Sequence, residues 1–331
     1  MAGGQGGGAV TPPAPGRDGA AAVPGLRRRS RVIDQGARYV VFGGAAFNVV
    51  LVVLVVAFLL QHAWPTISSI GLRNFFTSTD WQPDAGISFG VGMFGALAPI
   101  VGSFLVVALA LLIAVPFAIA VAVFITDTNP IVGERFIRPA VEVFVGIPSV
   151  VYGYLGFITL LPLLRHIAPP GRDGSGVLAA GIVLAVMIVP TIATISADGL
   201  YSVPVTLREG SAALGATQWQ TIRRVLLPAA RPQIISGIVL GFARAMGEAL
   251  AVALVIGDVN VIPNIAKEGI GALLQPFTTM TVTITDGVDK LAINPDGTAA
   301  RYMLAVVLLF VTFVAIILVR LAARGRRGSR A

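Results

Sequence analysis

The sequence predicts an all-α integral membrane protein built as a bundle of six spanning helices. Three observations predict it. Of 331 residues, 56% are hydrophobic and only 12% are Asp, Glu, Lys or Arg, whereas soluble domains carry about 25% charged residues. So few charges cannot cover the surface of a soluble protein of this size. The apolar runs are long and continuous rather than alternating, which selects spanning helices over a barrel. Lys and Arg fall unevenly between alternate loops, the pattern that fixes orientation in multi-span proteins.

Taken in order, residues 1–35 read as a disordered basic tail. Of the first 25 residues, 18 are Gly, Pro or Ala, which offer little to a core. Arg27, Arg28, Arg29 and Arg31 follow. They have the look of a twin-arginine export signal, but they also suit a cytoplasmic anchor. The next apolar run, 40–60, decides for the anchor. Its 21 residues are long for a signal-peptide core, and no small-x-small cleavage site follows.

Within a transmembrane domain of 36–322, spans are expected at roughly 40–60, 96–125, 141–164, 177–197, 234–256 and 302–320, ahead of a basic tail at 323–331. The second exceeds one straight crossing at 1.5 Å per residue. Pro99 and Pro116 are expected to mark a lead-in and a kink there. Pro148 and Pro190 lie inside spans three and four, where neighbouring helices can satisfy the freed carbonyls. Counted by side, 17 Lys and Arg fall with the two termini and loops 2–3 and 4–5, and 6 fall on the other side. That places both termini and loop 198–232 in the cytoplasm.

Several function classes are excluded. Cysteine is absent, which removes disulfides and thiolate metal sites, and His62 and His166 are the only histidines. Zinc hydrolysis and His-based triads lack their ligands, and no metal site is expected. The net charge of +8 belongs to span flanks rather than to a nucleic-acid surface, so no nucleic-acid partner is expected. No Gly-x-x-x-x-Gly-Lys-Ser/Thr occurs, so the chain is not by itself a P-loop ATPase. Asp127 and Glu134, in a short cytoplasmic loop, read as solvated.

Loop 198–232 carries two capping-box patterns, Thr206-Leu207-Arg208-Glu209 and Thr217-Gln218-Trp219-Gln220. Gly215 sits between them as a helix stop, and Pro228 is expected to end the second piece. The expected shape is helix, sharp break, helix, lying on the membrane surface. Local pattern leaves open whether it docks a partner or is a plain amphipathic hairpin. In the long outer loop 257–301, residues 278–285 alternate Thr with apolar residues in part, as a short strand or a loop segment would.

Arg244 and Glu248 are the charges lying well inside a span. A charge at membrane depth costs about 2.5–3.5 kcal/mol on insertion scales. Gly237, Gly241, Arg244, Ala245 and Glu248 fall on one stripe of a continuous helix, which turns the charges toward protein or an aqueous cavity. The pair is either a structural ion pair, each neutralising the other, or a site for an anion in transit, since guanidinium suits phosphate-like oxygens. In span three Gly146, Ser149, Gly153 and Gly156 form a second small-residue stripe. Pro148 there leaves the Phe144 carbonyl without its helical donor. A packing seam with a kink and a kink beside a permeation path both fit.

Glu209-Gly210-Ser211-Ala212-Ala213-Leu214-Gly215, followed by Val225-Leu226-Leu227-Pro228, resembles the cytoplasmic coupling loop of binding-protein-dependent ABC importer permeases. Glu209, Gly215, Leu227 and Pro228 match; Gly210, Ser211 and Val225 depart conservatively. Gly146-Ile147-Pro148-Ser149-Val150-Val151-Tyr152-Gly153, Leu214-Gly215-Ala216-Thr217 and Arg244-Ala245-Met246-Gly247-Glu248 are similar to phosphate importer permeases. Phe76-Thr77-Ser78-Thr79-Asp80-Trp81-Gln82-Pro83 is similar to the PstC-type branch rather than the PstA-type.

The resemblance implies a six-transmembrane-helix ABC importer permease with cytoplasmic coupling helices, in the bacterial cytoplasmic membrane. It implies a homologous PstA-type permease, an ATPase dimer and an extracytoplasmic phosphate-binding protein as partners, with inorganic phosphate as cargo and lipid around the spans. It implies Arg244 and Glu248 near the phosphate path, and Glu209, Gly215, Leu227 and Pro228 in ATPase coupling. It implies no cofactor of the chain's own, ATP and Mg being bound by the ATPase. Another oxyanion, sulfate or molybdate, keeps the same architecture. An autonomous secondary transporter would need coupling-ion sites or paired inverted repeats.

Overall fold

The computed structural model describes residues 24–69, 71–82, 93–260, 262, 268–286 and 295–324. The chain forms two compact units, Met1–Val55 and Val56–Ala331. Helix α1, Pro24–Ser69, begins in the first unit and continues into the second. It starts ahead of the boundary expected near residue 36, because the Arg-rich sequence from Leu26 to Gln35 holds no glycine and is a good helix former, and Pro24 suits a first turn. Residues 1–23 of the expected tail lie outside the described residues. Through the first unit α1 exposes its apolar side chains, Tyr39 at 78% and Leu54 at 63% among them, as a lipid-facing helix does.

The second unit is helical apart from a two-residue antiparallel ladder, β1 Trp81–Gln82 with β2 Met93–Phe94. After short α2, Leu72–Thr77, helix α3 runs Leu97–Thr128. Pro99 and Pro116 do not interrupt it: Pro99 sits in the first turn, where no helical donor is needed. Then come α4, Pro130–Gly146, and α5, Ser149–Arg165, bent 96° from each other. Helix α6 is Val177–Tyr201, α7 Val205–Ala213, α8 Gln218–Met246 and α9 Leu250–Ile256. Helix α10, Met280–Thr285, and α11, Pro295–Arg324, complete the unit. Among the described residues five helices are long and apolar enough to span, and the bent α4–α5 pair makes a sixth.

Helix α6 is the centre: 67% of its most apolar stretch is buried, and it packs along α3 and α8. The seam with α3 comes from an alanine at every fourth position. Ala110, Ala114, Ala118 and Ala122 are all fully buried, and spacing of four keeps them on one face where backbones approach closely. On the opposite helix Gly181 receives Leu109, whose Cδ2 lies 2.8 Å from where a Cβ would be.

Four wide, π-type turns occur at 124–128, 133–137, 156–160 and 222–226, and each is followed two residues later by proline: Pro130, Pro139, Pro162 and Pro228. A proline has no N–H for the carbonyl four residues back and its ring crowds that carbonyl. A turn widened by one residue relieves the crowding. This corrects the expectation for Pro228. It does not end the second piece of the elbow; the Leu227 N–H bonds the Ile222 carbonyl and the chain continues into α8 as one helix.

Candidate functional site

The cytoplasmic elbow is built by α7, a left-handed turn and the start of α8. Helix α7 begins at Val205 after Pro204, with no side-chain cap, so the Thr206–Glu209 capping box does not form. The proline already sets the start, two residues earlier than a Thr206 cap requires. The second box forms as expected: Thr217 Oγ1 accepts from Gln220 N–H at 3.3 Å, and Thr217 N–H donates to Gln220 Oε1 at 3.0 Å.

Gly215 lies between them at φ +73°. Ala216 N–H bonds the Ser211 carbonyl at 3.2 Å and Gly215 N–H the Ala212 carbonyl at 2.9 Å, the paired bonds of a Schellman stop. Ser211 Oγ and Thr221 Oγ1, 2.8 Å apart, tie the two arms together. Glu209 and Pro228 are exposed and Leu227 is half-buried. The elbow also presents Val205 at 63%, Leu207 at 44%, Leu214 at 89% and Trp219 at 63% exposure.

Asp127 is not solvated. Its side chain is 5% exposed and pairs with Arg208, because the wide turn at the end of α3 folds it under α7. Burial pulls the Arg208 guanidinium below its usual pKa. Glu134 joins Arg138 at 3.4 Å, and Arg138 also reaches Glu142 and Asp198.

At membrane depth, Gly237 and Gly241 meet Ile192 of α6, with a Cβ at Gly237 falling 3.2 Å from the Ile192 carbonyl oxygen. One turn on, half-buried Arg244 donates from Nη1 to Thr191 Oγ1 at 3.2 Å. Glu248 does not share that helix. Helix α8 stops at Met246, Gly247 being a poor helix former, and a new helix starts at Leu250. The expected single span over 234–256 is therefore broken. Among the described residues no ion pair joins Arg244 to Glu248. Instead Glu248 Oε1 accepts from the Ala251 N–H at 3.1 Å, and the Glu248 carbonyl accepts from Thr281 Oγ1 at 2.8 Å.

Thr281 belongs to the segment whose strand-like alternation is in fact helical. Thr279 caps α10 by accepting from Val282 N–H at 3.4 Å, and Thr278, Thr279, Thr281 and Thr283 are buried rather than alternating across a pleat. Met280 N–H donates to Ser103 Oγ at 2.9 Å. A cavity of about 10 Å³ lies between Ser103, Glu248, Thr279 and Thr281, the size of a single water among polar partners. Gly257 and Asp258 take left-handed φ of +89° and +44° where the chain leaves α9. Burial raises the Asp258 pKa, opposed by the bond from Thr278 at 2.8 Å.

The stripe expected on span three divides. The 96° bend at Ile147-Pro148 takes Gly146 off the face of Ser149, Gly153 and Gly156, and nothing lies within 4 Å of a Cβ at Gly146. Ser149 opens α5 directly after Pro148. Gly153 meets the Ala251 backbone of α9 at 2.6 Å, and Gly156 meets Val183 at 2.6 Å, both measured from an added Cβ. The carbonyl of Phe144 is not orphaned: Tyr152 Oη donates to it across the bend at 2.7 Å.

The sequence reading missed Thr191, the Ser103/Thr279/Thr281 hydroxyls and the Asp127–Arg208 pair. For Thr191, Ser103, Thr281 and Asp127 the signal was weak, since each meets its partner across more than thirty positions of chain, Glu248 to Thr281 being the nearest; Thr279 acts locally, as the cap of α10.

Residues 114–328 match the family described as the binding-protein-dependent transport system inner membrane component. A probable ABC transporter permease protein YqgH of Bacillus subtilis is 42% identical over 79% of this chain and 81% of its own. The phosphate transport system permease protein PstC of Mesorhizobium japonicum is 34% identical, covering 83% and 86%. PstC 1 of Mycobacterium tuberculosis is 37% identical, covering 78% and 82%. Among solved structures, an inward-facing MetNI methionine ABC transporter chain is similar with TM-score 0.50 at 22% identity, over 69% of this chain and 95% of that one. That likeness concerns the fold.

Proposed function

Given that the chain belongs to the family of binding-protein-dependent transport system inner membrane components, we propose that it is the permease subunit through which an ATP-driven importer moves inorganic phosphate into the cell. It is a membrane-spanning transport subunit rather than a catalytic one. The observation that carries the coupling half of the reading is the elbow. A rigid reversal, stopped by Gly215 and tied by Ser211 and Thr221, holds out Leu214 at 89% and Trp219 at 63% exposure. An apolar tip on an element flanked by Arg208, Arg223 and Arg224 suits a protein cleft on the cytoplasmic side. The occupant is an ATPase dimer, which binds the ATP and Mg; the chain needs no cofactor of its own.

The cargo half rests on the PstC relatives and on Arg244. A half-buried guanidinium held by Thr191 offers fixed donors to phosphate oxygens, and Glu248 nearby opposes binding too tight for release. ATPase closure moves the elbow; α6 and α8, joined to it, tilt as packed bodies and open the path to alternate sides. A second, PstA-type permease completes the path, a phosphate-binding protein delivers the anion from outside, and both termini lie in the cytoplasm.

The test is mild-detergent purification of the tagged chain from its native cell, then reconstitution with radiolabelled phosphate. The expected result is recovery of an ATPase and a second permease, with uptake resistant to excess sulfate and molybdate. Recovery of the chain alone, or equal competition by sulfate, refutes the reading.

A further inference from the structure

We propose that Asp127 is a positioning residue that couples the elbow to α3 by gripping both of the elbow's arms. The inference rests on the ATPase-docking reading and adds a second route by which motion leaves the elbow. Asp127 lies in the wide turn that ends α3, and its side chain is 5% exposed. Its Oδ1 accepts from Arg208 Nη1, on the first arm, α7. Its backbone carbonyl accepts from Gln218 Nε2 at 2.5 Å, at the start of the second arm, α8. Thr126 Oγ1 donates to Oδ2 at 2.5 Å and fixes the carboxylate from its own helix.

Arg208 spends its other nitrogen on the Leu200 carbonyl at 3.1 Å, and Tyr201 Oη donates to the Ile125 carbonyl at 3.3 Å. The last turn of α3 and both arms of the elbow thus meet at Asp127, and the last turn of α6 joins them through Arg208 and Ile125. Covalently the elbow joins only α6 and α8. Through Asp127 it also holds α3, which packs along α6 by its alanine seam. A charged, buried bond of this kind is rigid and loses heavily when one partner is removed. A push on the elbow therefore moves α3 with α6 and α8, instead of letting α6 slide on it.

The experiment uses the complete complex, co-expressed with its ATPase and partner permease and reconstituted in proteoliposomes. Phosphate moved per ATP hydrolysed is measured beside the thermal midpoint. Asp127→Asn is expected to lower that ratio about tenfold, the scale of one lost charged hydrogen bond, with ATPase still bound. The double exchange Asp127→Arg with Arg208→Asp is expected to recover most of it, and Gln218→Leu, which frees one arm, to give a smaller fall. A lowered thermal midpoint with an unchanged ratio assigns Asp127 to fold maintenance and overturns the proposal. Should Asp127→Asn fail to assemble, an unchanged ratio in Gln218→Leu overturns it equally. Absence of any ATPase from the wild-type complex overturns the docking reading itself, a result distinct from failure at Asp127.

Discussion

Gly215 offers a test in which steric and conformational effects separate. The residue sits at φ +73°, and a Cβ added there meets nothing within 4 Å. Substitution therefore causes no clash; its whole cost is the left-handed backbone, roughly 1–2 kcal/mol for an L-residue, less for Asn and more for a β-branched side chain. Against that cost stand the two bonds of the stop, from Gly215 to Ala212 and from Ala216 to Ser211. If docking requires the reversed elbow, the apparent affinity falls with the competent fraction, so 1–2 kcal/mol corresponds to roughly 5–30-fold. The assay is binding of the purified ATPase subunit to the permease pair in nanodiscs. Gly215→Asn is expected to weaken binding least, Gly215→Ala more and Gly215→Val most. Equal binding by the Val variant, or an Asn variant as poor as Val, would refute the reasoning.

Three further outcomes are expected. Gly153→Leu forces a side chain into the Ala251 backbone, where a Cβ alone falls at 2.6 Å; a loss of about 1–3 kcal/mol should lower the thermal midpoint in detergent, whereas Gly146→Ala, in open space, should not. Tyr152→Phe removes one of two donors to the Phe144 carbonyl, leaving the Ile147 N–H at 3.4 Å, and should destabilise the bent pair by about 0.5–1.5 kcal/mol, read as faster proteolysis at the bend. Arg244→Gln should abolish phosphate uptake in an intact complex, and Glu248→Gln should alter release more than capture; undiminished uptake by Arg244→Gln would reduce that residue to its bond with Thr191.

Two local features of the elbow were legible without coordinates, although the Thr206 capping box was not one of them. The Thr217 capping box and the Gly215 stop follow from side chains acting on their own or nearby backbone, so short stretches of sequence contain both partners. The same holds for the spans, whose apolar length is a one-dimensional property. The failures share a different origin. The Arg244–Glu248 pair was expected because i and i+4 meet on an unbroken helix, and α8 ends at Met246. The stripe through Gly146 assumed the same continuity across Pro148, and the chain turns 96° there. Pro228, expected to stop a helix, is absorbed by a widened turn.

The amino-acid sequence by itself thus determined that the chain enters a membrane, roughly where it crosses, and where its elbow must reverse, because hydrophobic length, glycine and capping chemistry act within a few residues. Tertiary structure alone decided which broken carbonyl finds a hydroxyl, that Arg244 meets Thr191, and that Asp127 is buried under Arg208. Those outcomes depend on polar groups in a low-dielectric interior finding partners far along the chain, and such pairings arise only once the helices have packed.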